Sequence, residues 1–376
     1  MGILRTAESV TEGQADKIAD QISDAVVDAI IEQDNSASIG CETLISNGFC
    51  IVAGEICTEA YVPIAQIAKN TFREIGYTDG SYGFDYRSAG VIMAVHDRSG
   101  EIAGGIRKNG KLGASDESVV IGYACDETPE LVPFDTALAH KLTRRLAEVR
   151  KSGLLPFLLP DGRAQVTIEL ERGRVAAIRH ISISAQHSRG ATLNQVREAV
   201  MEEVIEPVVA RDLAKNATIE INPAGNFVIG GPQCDTGLTG RKIISDSYGT
   251  ACAHGGGALS GKDPLRIDRA GAYAARYLAK NIVAAGLAKR AQVDLTYTIG
   301  AVEPVAIHIS TGFHSGVDDE KLADFVRKNF DLSTEGIAAR LNLLQPHYRA
   351  TAAYGTFGRA GLAWESTDAV TTFKKF

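Results

Sequence analysis

The chain has no apolar run approaching the ~20 residues that a membrane-crossing helix needs. Its opening stretch, Met1 to Val10, has no apolar core of the kind a secretory signal carries. Its six cysteines, at 41, 50, 57, 125, 234 and 252, are scattered without metal-ligand spacing and suit reduced thiols. Excess positive charge is also missing: the net charge is −7, which argues against a general nucleic-acid binder. A cytoplasmic protein with no membrane and no nucleic-acid partner is expected. What is present is ordinary for a globular chain, with 45% hydrophobic and 23% charged residues. At 376 residues there is room for two or three domains.

Basic residues are concentrated locally. Gly230-Gly231-Pro232-Gln233-Cys234-Asp235-Thr236-Gly237-Leu238-Thr239-Gly240 ends in Arg241 and Lys242. His254-Gly255-Gly256-Gly257-Ala258-Leu259-Ser260-Gly261 ends in Lys262 and Asp263. Glycines let backbone N–H groups approach an anion, and the cations fix its charge; together they suit a polyphosphate. The second segment nearly spells a P-loop from Gly256 to Lys262, but Asp263 stands where Ser or Thr is required. A Walker-type site is therefore not expected.

A helix–hairpin–helix pattern occurs three times. The first has a helix over 15–33, with Ile18, Ile22, Val26, Ala29 and Ile30 on one face, and a capping-box signal at Ser9 to Glu12. Strands follow at 38–46 and 49–57 across Asn47-Gly48, a strong hairpin signal, then a helix at 60–75. The second runs 134–151, 164–171 with 175–186, and 192–208. The third runs 267–286, 291–300 with 303–310, and 318–330. The expected fold is α/β (α+β), three similar units with mostly antiparallel sheets covered by helices. Residues 97–118 belong to no unit; their glycine and charge suggest a lid or tether.

Asp16, Asp20, Asp24 and Asp28 repeat every four residues. The last three are expected on a solvated helix face; Asp16, at the helix entrance, could ligate Mg²⁺. A two-residue turn pairs 42 with 53 and 40 with 55, so Glu42 and Glu55 share one sheet face, either as an ion or amino-acid site or as plain surface carboxylates.

These stretches resemble the S-adenosylmethionine synthetase (methionine adenosyltransferase) family over essentially the whole chain. The matching segments are Glu8 to Gly13, Asp16 to Ala25, Gly54-Glu55-Ile56, Ile221-Asn222-Pro223, Phe227 to Pro232, Gly237 to Lys242, His254 to Gly257, Ser260 to Pro264 and Ala352 to Gly355. The resemblance implies pseudo-threefold symmetry and domains at 1–98, 119–228 and 229–376, with a flexible active-site loop at 99–118. It implies a homodimer or homotetramer with sites between subunits. The implied reaction is attack of methionine sulfur on the 5′-carbon of ATP with loss of the whole triphosphate, which is then cleaved. By family position Arg241, Lys242, Lys262 and Arg163 bear the triphosphate. Asp161, Phe227, Ala258 and Asp235 contact ATP, and Asp235 also meets methionine. Asp16 and Asp268 hold two Mg²⁺ and Glu42 a K⁺; Glu55, Asp116 and Ile299 line the methionine side. The chain departs from the family at Gln14, where the family has its catalytic histidine. It departs again at Gly104, in place of a methionine-contacting glutamine, and at Arg266, in place of a lysine. Glutamine can donate a hydrogen bond but carries no titratable charge. Three functions stay open on these residues: a synthetase, the same displacement with another small acceptor or water, and a non-catalytic ATP-binding partner.

Overall fold

The computed structural model describes residues 2–97, 107–108, 110–312 and 315–376. In chain order its main elements are β1 (Ile3–Val10), α1 (Ala15–Ile31), β2 (Ser38–Ser46), β3 (Phe49–Cys57), α2 (Ile64–Ile75) and β4 (Gly90–His96). Then come β5 (Ser118–Cys125), α3 (Phe134–Lys151), β6 (Leu158–Glu171), β7 (Arg174–His187), α4 (Leu193–Val200) and β8 (Thr218–Ile221). The last part holds β9 (Gly237–Leu238), α5 (Ile267–Ala284), β10 (Arg290–Tyr297), β11 (Ala306–Ser310) and α6 (Asp319–Asn329). The second helix of the middle unit, α4, runs α-helical only to Val200 and then opens into a π turn over Met201–Ile205.

Among the described residues these strands form three main sheets, ordered β9-β2-β3-β4, β1-β6-β7-β8 and β11-β10-β5. Each is built on one local hairpin. The hairpin at Asn47-Gly48 has the register its turn dictates, with Gly40 opposite Glu55 and Glu42 opposite Ala53. Every sheet then recruits strands from far along the chain. β1 lies antiparallel to β6, from Ile3 opposite Leu170 to Val10 opposite Arg163. β4 adds parallel to β3 and β8 parallel to β7, while β5 pairs antiparallel with β10. A largely antiparallel α/β architecture in three helix-covered units follows.

The core follows the periodicities. Ile18, Ile22, Val26 and Ile30 of α1 are buried against Ile39, Cys41, Ile45, Cys50 and Val52 of β2 and β3. A second cluster joins α3 and α4 to β6 and β7 through Leu142, Leu146, Val166, Ile181 and Val196. All six cysteines are free, as expected.

Two expectations about α1 are overturned. The helix starts at Ala15 with Gln14 as its N-cap, accepting the Lys17 N–H on its side chain, whereas Ser9 lies within β1 and bonds Thr143. Pairing of β1 with β6 claims the backbone that a capping box would have used. The acidic stripe is not solvated either: Asp20 and Asp24 are each 1% exposed and Asp28 is half-buried. Spacing of four puts carboxylates on one face, but cannot say what covers that face. Here it is covered by the two glycine-rich segments.

Candidate active site

Each aspartate of α1 accepts backbone N–H groups from elsewhere in the chain. Asp16 takes Leu238 at 3.0 Å, Asp20 takes Gly240 at 2.8 Å and Asp24 takes Gly261 at 2.8 Å. Asp28 takes both Tyr348 and Arg349 at 2.9 Å. One helix therefore seats the first glycine-rich segment on two successive turns and the second on the next. The segments also touch directly: Gly240, at φ +80°, leaves only 2.6 Å between a would-be Cβ and that of Ala258.

The charges that neutralise this buried stripe come from several elements. Lys17, 1% exposed, donates to Asp20 at 2.8 Å and to Asp246 at 2.6 Å. Arg269 of α5 donates to Asp24 at 2.6 Å and to the Lys262 carbonyl at 2.7 Å, and lies over the Tyr348 ring. Isolated buried carboxylates are prohibitively costly, so these partners are what allows the stripe to exist.

Two cation–carboxylate groups emerge at the segment tips. In the first, Asp16 accepts Lys242 at 2.5 Å and Gln14 Nε2 at 3.2 Å, with Arg241 3.7 Å away. Burial alone would raise the Asp16 pKa, but bonds from Lys242 and the Leu238 backbone hold it below the ordinary carboxylate value. The start of β6 abuts this group, since Thr11 N–H donates to Gly162 O at 2.9 Å. Asp161, 4% exposed, accepts Gly231 N–H at 2.8 Å on one oxygen, while its buried Oδ1 has no hydrogen-bond partner among the described residues. Burial raises its pKa, offset by that Gly231 bond. Arg163 and Asp235 are exposed nearby in sequence, and Phe227 is half-buried.

In the second group, Asp268 accepts Lys262 and, at 2.6 Å, the Ser118 hydroxyl. Lys262 bridges to Gly40 of β2. Arg266 pairs with Asp263 at 3.5 Å and presses its guanidinium on Gly40, the residue opposite Glu55. Glu55 stands 3.9 Å from His96 across the β3–β4 pair. Glu42 and Asp116 are exposed, and Ile299 is 56% exposed in the turn after β10. Gly104 lies outside the described residues, as do the rest of 98–106 and residue 109.

Sequence reasoning missed Lys17, Asp20, Asp24, Arg269 and Ser118 as parts of the site's framework. The usable signal was the strict four-residue aspartate repeat inside an otherwise apolar and small-residue helix. A cavity of about 630 Å³ between α4 and β8, lined by Met201, Ile219 and Ile221, shares none of these residues.

Cations carried on close-packed glycine turns beside carboxylates suit a protein that grips a polyphosphate. Comparison with known proteins narrows that class. Three S-adenosylmethionine synthetase models match in order: the N-terminal domain over residues 2–100, the central domain over 111–227 and the C-terminal domain over 229–366. The S-adenosylmethionine synthase of Sulfurovum sp. (strain NBC37-1) is 53% identical over 99% of this chain and 97% of its own length. Those of Helicobacter pylori and Thermus thermophilus are 50% and 49% identical, each over 99% of this chain and 98% of theirs. The chain belongs to the S-adenosylmethionine synthetase family. No described helix is long and apolar enough to cross a membrane.

Proposed function

We propose that the protein forms S-adenosylmethionine from ATP and L-methionine and then cleaves the released triphosphate to pyrophosphate and phosphate. The observation that carries this reading is the seating of both cation-tipped segments on one aspartate-bearing helix, in a chain of this family.

Methionine sulfur forms a bond to the 5′-carbon as the carbon–oxygen bond breaks, and the electron pair leaves with the triphosphate. Charge developing on that leaving group is met by Arg241, Lys242, Lys262 and Arg163, fixed positive charges that need no reorganisation during the step. Gln14 contributes direction rather than charge: its amide has two N–H donors, Asp16 takes one, and the other serves the departing oxygen. The unpartnered Asp161 Oδ1 suits an N–H of the bound nucleotide, with Phe227, Ala258 and Asp235 beside the same segments. Glu55 would receive the methionine ammonium, with Arg266, Asp116, Ile299 and Gly104 on that side.

Asp16 and Asp268 would hold two Mg²⁺. Single carboxylates suit an ion that keeps several waters and shares phosphate oxygens, and no three His, Cys, Asp or Glu form a metal cage among the described residues. When bound, the ion adds positive charge to the triphosphate. Each carboxylate now accepts a lysine, so a magnesium–polyphosphate would find the opposite charges already paired and exchange partners with them. Glu42 would hold K⁺.

A homo-oligomer with sites between copies belongs to the same proposal. It is supported by the sheet face turned away from α1, where Glu42 and Glu55 share a surface with Leu44, Ile51 and the 53% exposed Ile92. Cytoplasmic residence is proposed with it.

The test is incubation of the pure protein with ATP, Mg²⁺, K⁺ and methionine, followed by mass detection of S-adenosylmethionine. Phosphate release without that product would overturn the reading. It would favour the same displacement onto a different small acceptor or water, which the Gln14, Gly104 and Arg266 positions motivate.

A further inference from the structure

Two tyrosine hydroxyls close on the two residues that precede Gln14. Tyr77, 0% exposed beyond the end of α2, donates its hydroxyl to the Gly13 carbonyl at 2.6 Å. Tyr354, from the C-terminal part of the chain, accepts the Glu12 N–H on its hydroxyl at 3.1 Å. The Glu12 carbonyl accepts Gln21 Nε2 at 2.8 Å, and its carboxylate meets Arg150 and Lys151. A Cβ on Gly13 would come within 2.3 Å of the Pro160 carbonyl. The peptide leading into Gln14 is thus gripped from three directions.

Both tyrosines are themselves over-determined. Tyr354 holds φ at +62°, a left-handed conformation that a bulky residue keeps only when its surroundings enforce it. Arg144 donates to its carbonyl and lies against its ring. Tyr77 packs edge-on to Phe84, and its hydroxyl lies so near Gly231, at φ +58°, that a Cβ there would be 1.9 Å away. Gly231 in turn donates to Asp161. The Tyr77 ring therefore ties the Gln14 turn to the start of the first glycine-rich segment.

We infer that Tyr77 and Tyr354 are positioning residues that hold the Gln14 amide in place for the adenosyl transfer. The inference rests on the proposed function and on Gln14 acting at the reacting centre. A neutral amide stabilises charge only along its N–H direction, so an error of a fraction of an ångström in the preceding peptide costs it more than it would cost a charged group.

Tyr77→Phe and Tyr354→Phe test this, because each keeps the ring and removes the hydroxyl. Three quantities are measured: kcat and KM for S-adenosylmethionine formation, hydrolysis of added tripolyphosphate, and the melting temperature. The kcat of each variant is expected to fall about tenfold while KM for ATP stays within about twofold. Tripolyphosphate hydrolysis, which depends on Lys242 and Lys262, should change far less. In a double-mutant cycle, Tyr77→Phe should slow a Gln14→Ala enzyme little further, because its effect passes through that residue. The inference is overturned by a wild-type kcat in both tyrosine variants. Equal slowing by Tyr77→Phe in the wild-type and Gln14→Ala backgrounds would also overturn it, as would parallel loss of every activity with the melting temperature. A slow Gln14→Ala beside an unimpaired Tyr77→Phe removes the clamp alone. A wild-type protein that makes no S-adenosylmethionine removes the functional reading and the clamp with it.

Discussion

Replacing Asp24 by alanine should loosen the site from beneath. Asp24 is 1% exposed and its Oδ1 accepts both Gly261 N–H at 2.8 Å and Arg269 at 2.6 Å. Truncation leaves a guanidinium that is also 1% exposed without its counter-charge. Breaking a buried ion pair in this way costs about 3–5 kcal/mol, and stranding a buried N–H adds roughly 1–3 kcal/mol. Arg269 keeps the Lys262 carbonyl at 2.7 Å and the Tyr348 ring at 4.2 Å, so the total should fall near the lower end of that sum, about 4–5 kcal/mol. Urea unfolding at fixed protein concentration reads this as a lower midpoint of the first transition. Asp24→Asn, which keeps an acceptor but not the charge, should lie between wild type and alanine. Turnover should fall as well, because Gly261 precedes Lys262. An Asp24→Ala midpoint equal to wild type would refute the argument that this helix carries the anion-binding segments on buried charge.

Other outcomes follow from the same geometry. Gln14→His should raise methionine-dependent turnover by about tenfold or more, since a charged donor replaces a neutral one beside the triphosphate; steady-state rates showing no gain would count against Gln14 acting there. Gly240→Val should lose both folding stability and ATP turnover, because φ is +80° and the new Cβ would sit 2.6 Å from Ala258; a wild-type melting curve would contradict the close approach. Burial pushes the Asp28 carboxyl up from 3.8 to about 6, against the opposing bonds from Arg349 and Tyr348. Its contribution to stability is therefore complete below the unfolded value and lost as pH rises through about 6. Asp28→Asn should flatten the stability profile between about pH 4 and 6, and urea midpoints across that range check it.

Local signals carried the sequence reading a long way. Asn47-Gly48 set the β2–β3 register to the residue, and apolar periodicity located α1, α3 and α5 within two or three positions. Glycine with adjacent Arg and Lys marked the two segments that the structure brings into contact at Gly240 and Ala258. What escaped was non-local. Nothing in β1 announces that it joins a strand beginning at Leu158, or that the two-residue β9 pairs with β2. The aspartate stripe failed for the same reason: a repeat fixes a face, whereas burial of that face depends on residues more than two hundred positions away, such as Gly240, Gly261 and Arg269. Tyr77 stood in none of the matching segments and Tyr354 in only one, Ala352 to Gly355, and neither position tells in sequence where its hydroxyl ends.

The pairing of β1 with β6 also bears on the birth of the chain. Ile3 meets Leu170, so the first strand synthesised waits for its partner while well over a hundred further residues are added. At roughly 5–20 residues per second that is on the order of ten seconds or more of exposure for a short β-prone segment. Over the same interval Ala15–Ile31 can coil and meet the hairpin at Asn47-Gly48, whose contacts are close in sequence. The middle unit, by contrast, closes only when an early strand returns to a late one. A nascent chain stalled before Leu158 would therefore leave β1 without its partner, open to ribosomal neighbours and chaperones, whereas once Leu158–Glu171 has left the ribosome β1 can pair.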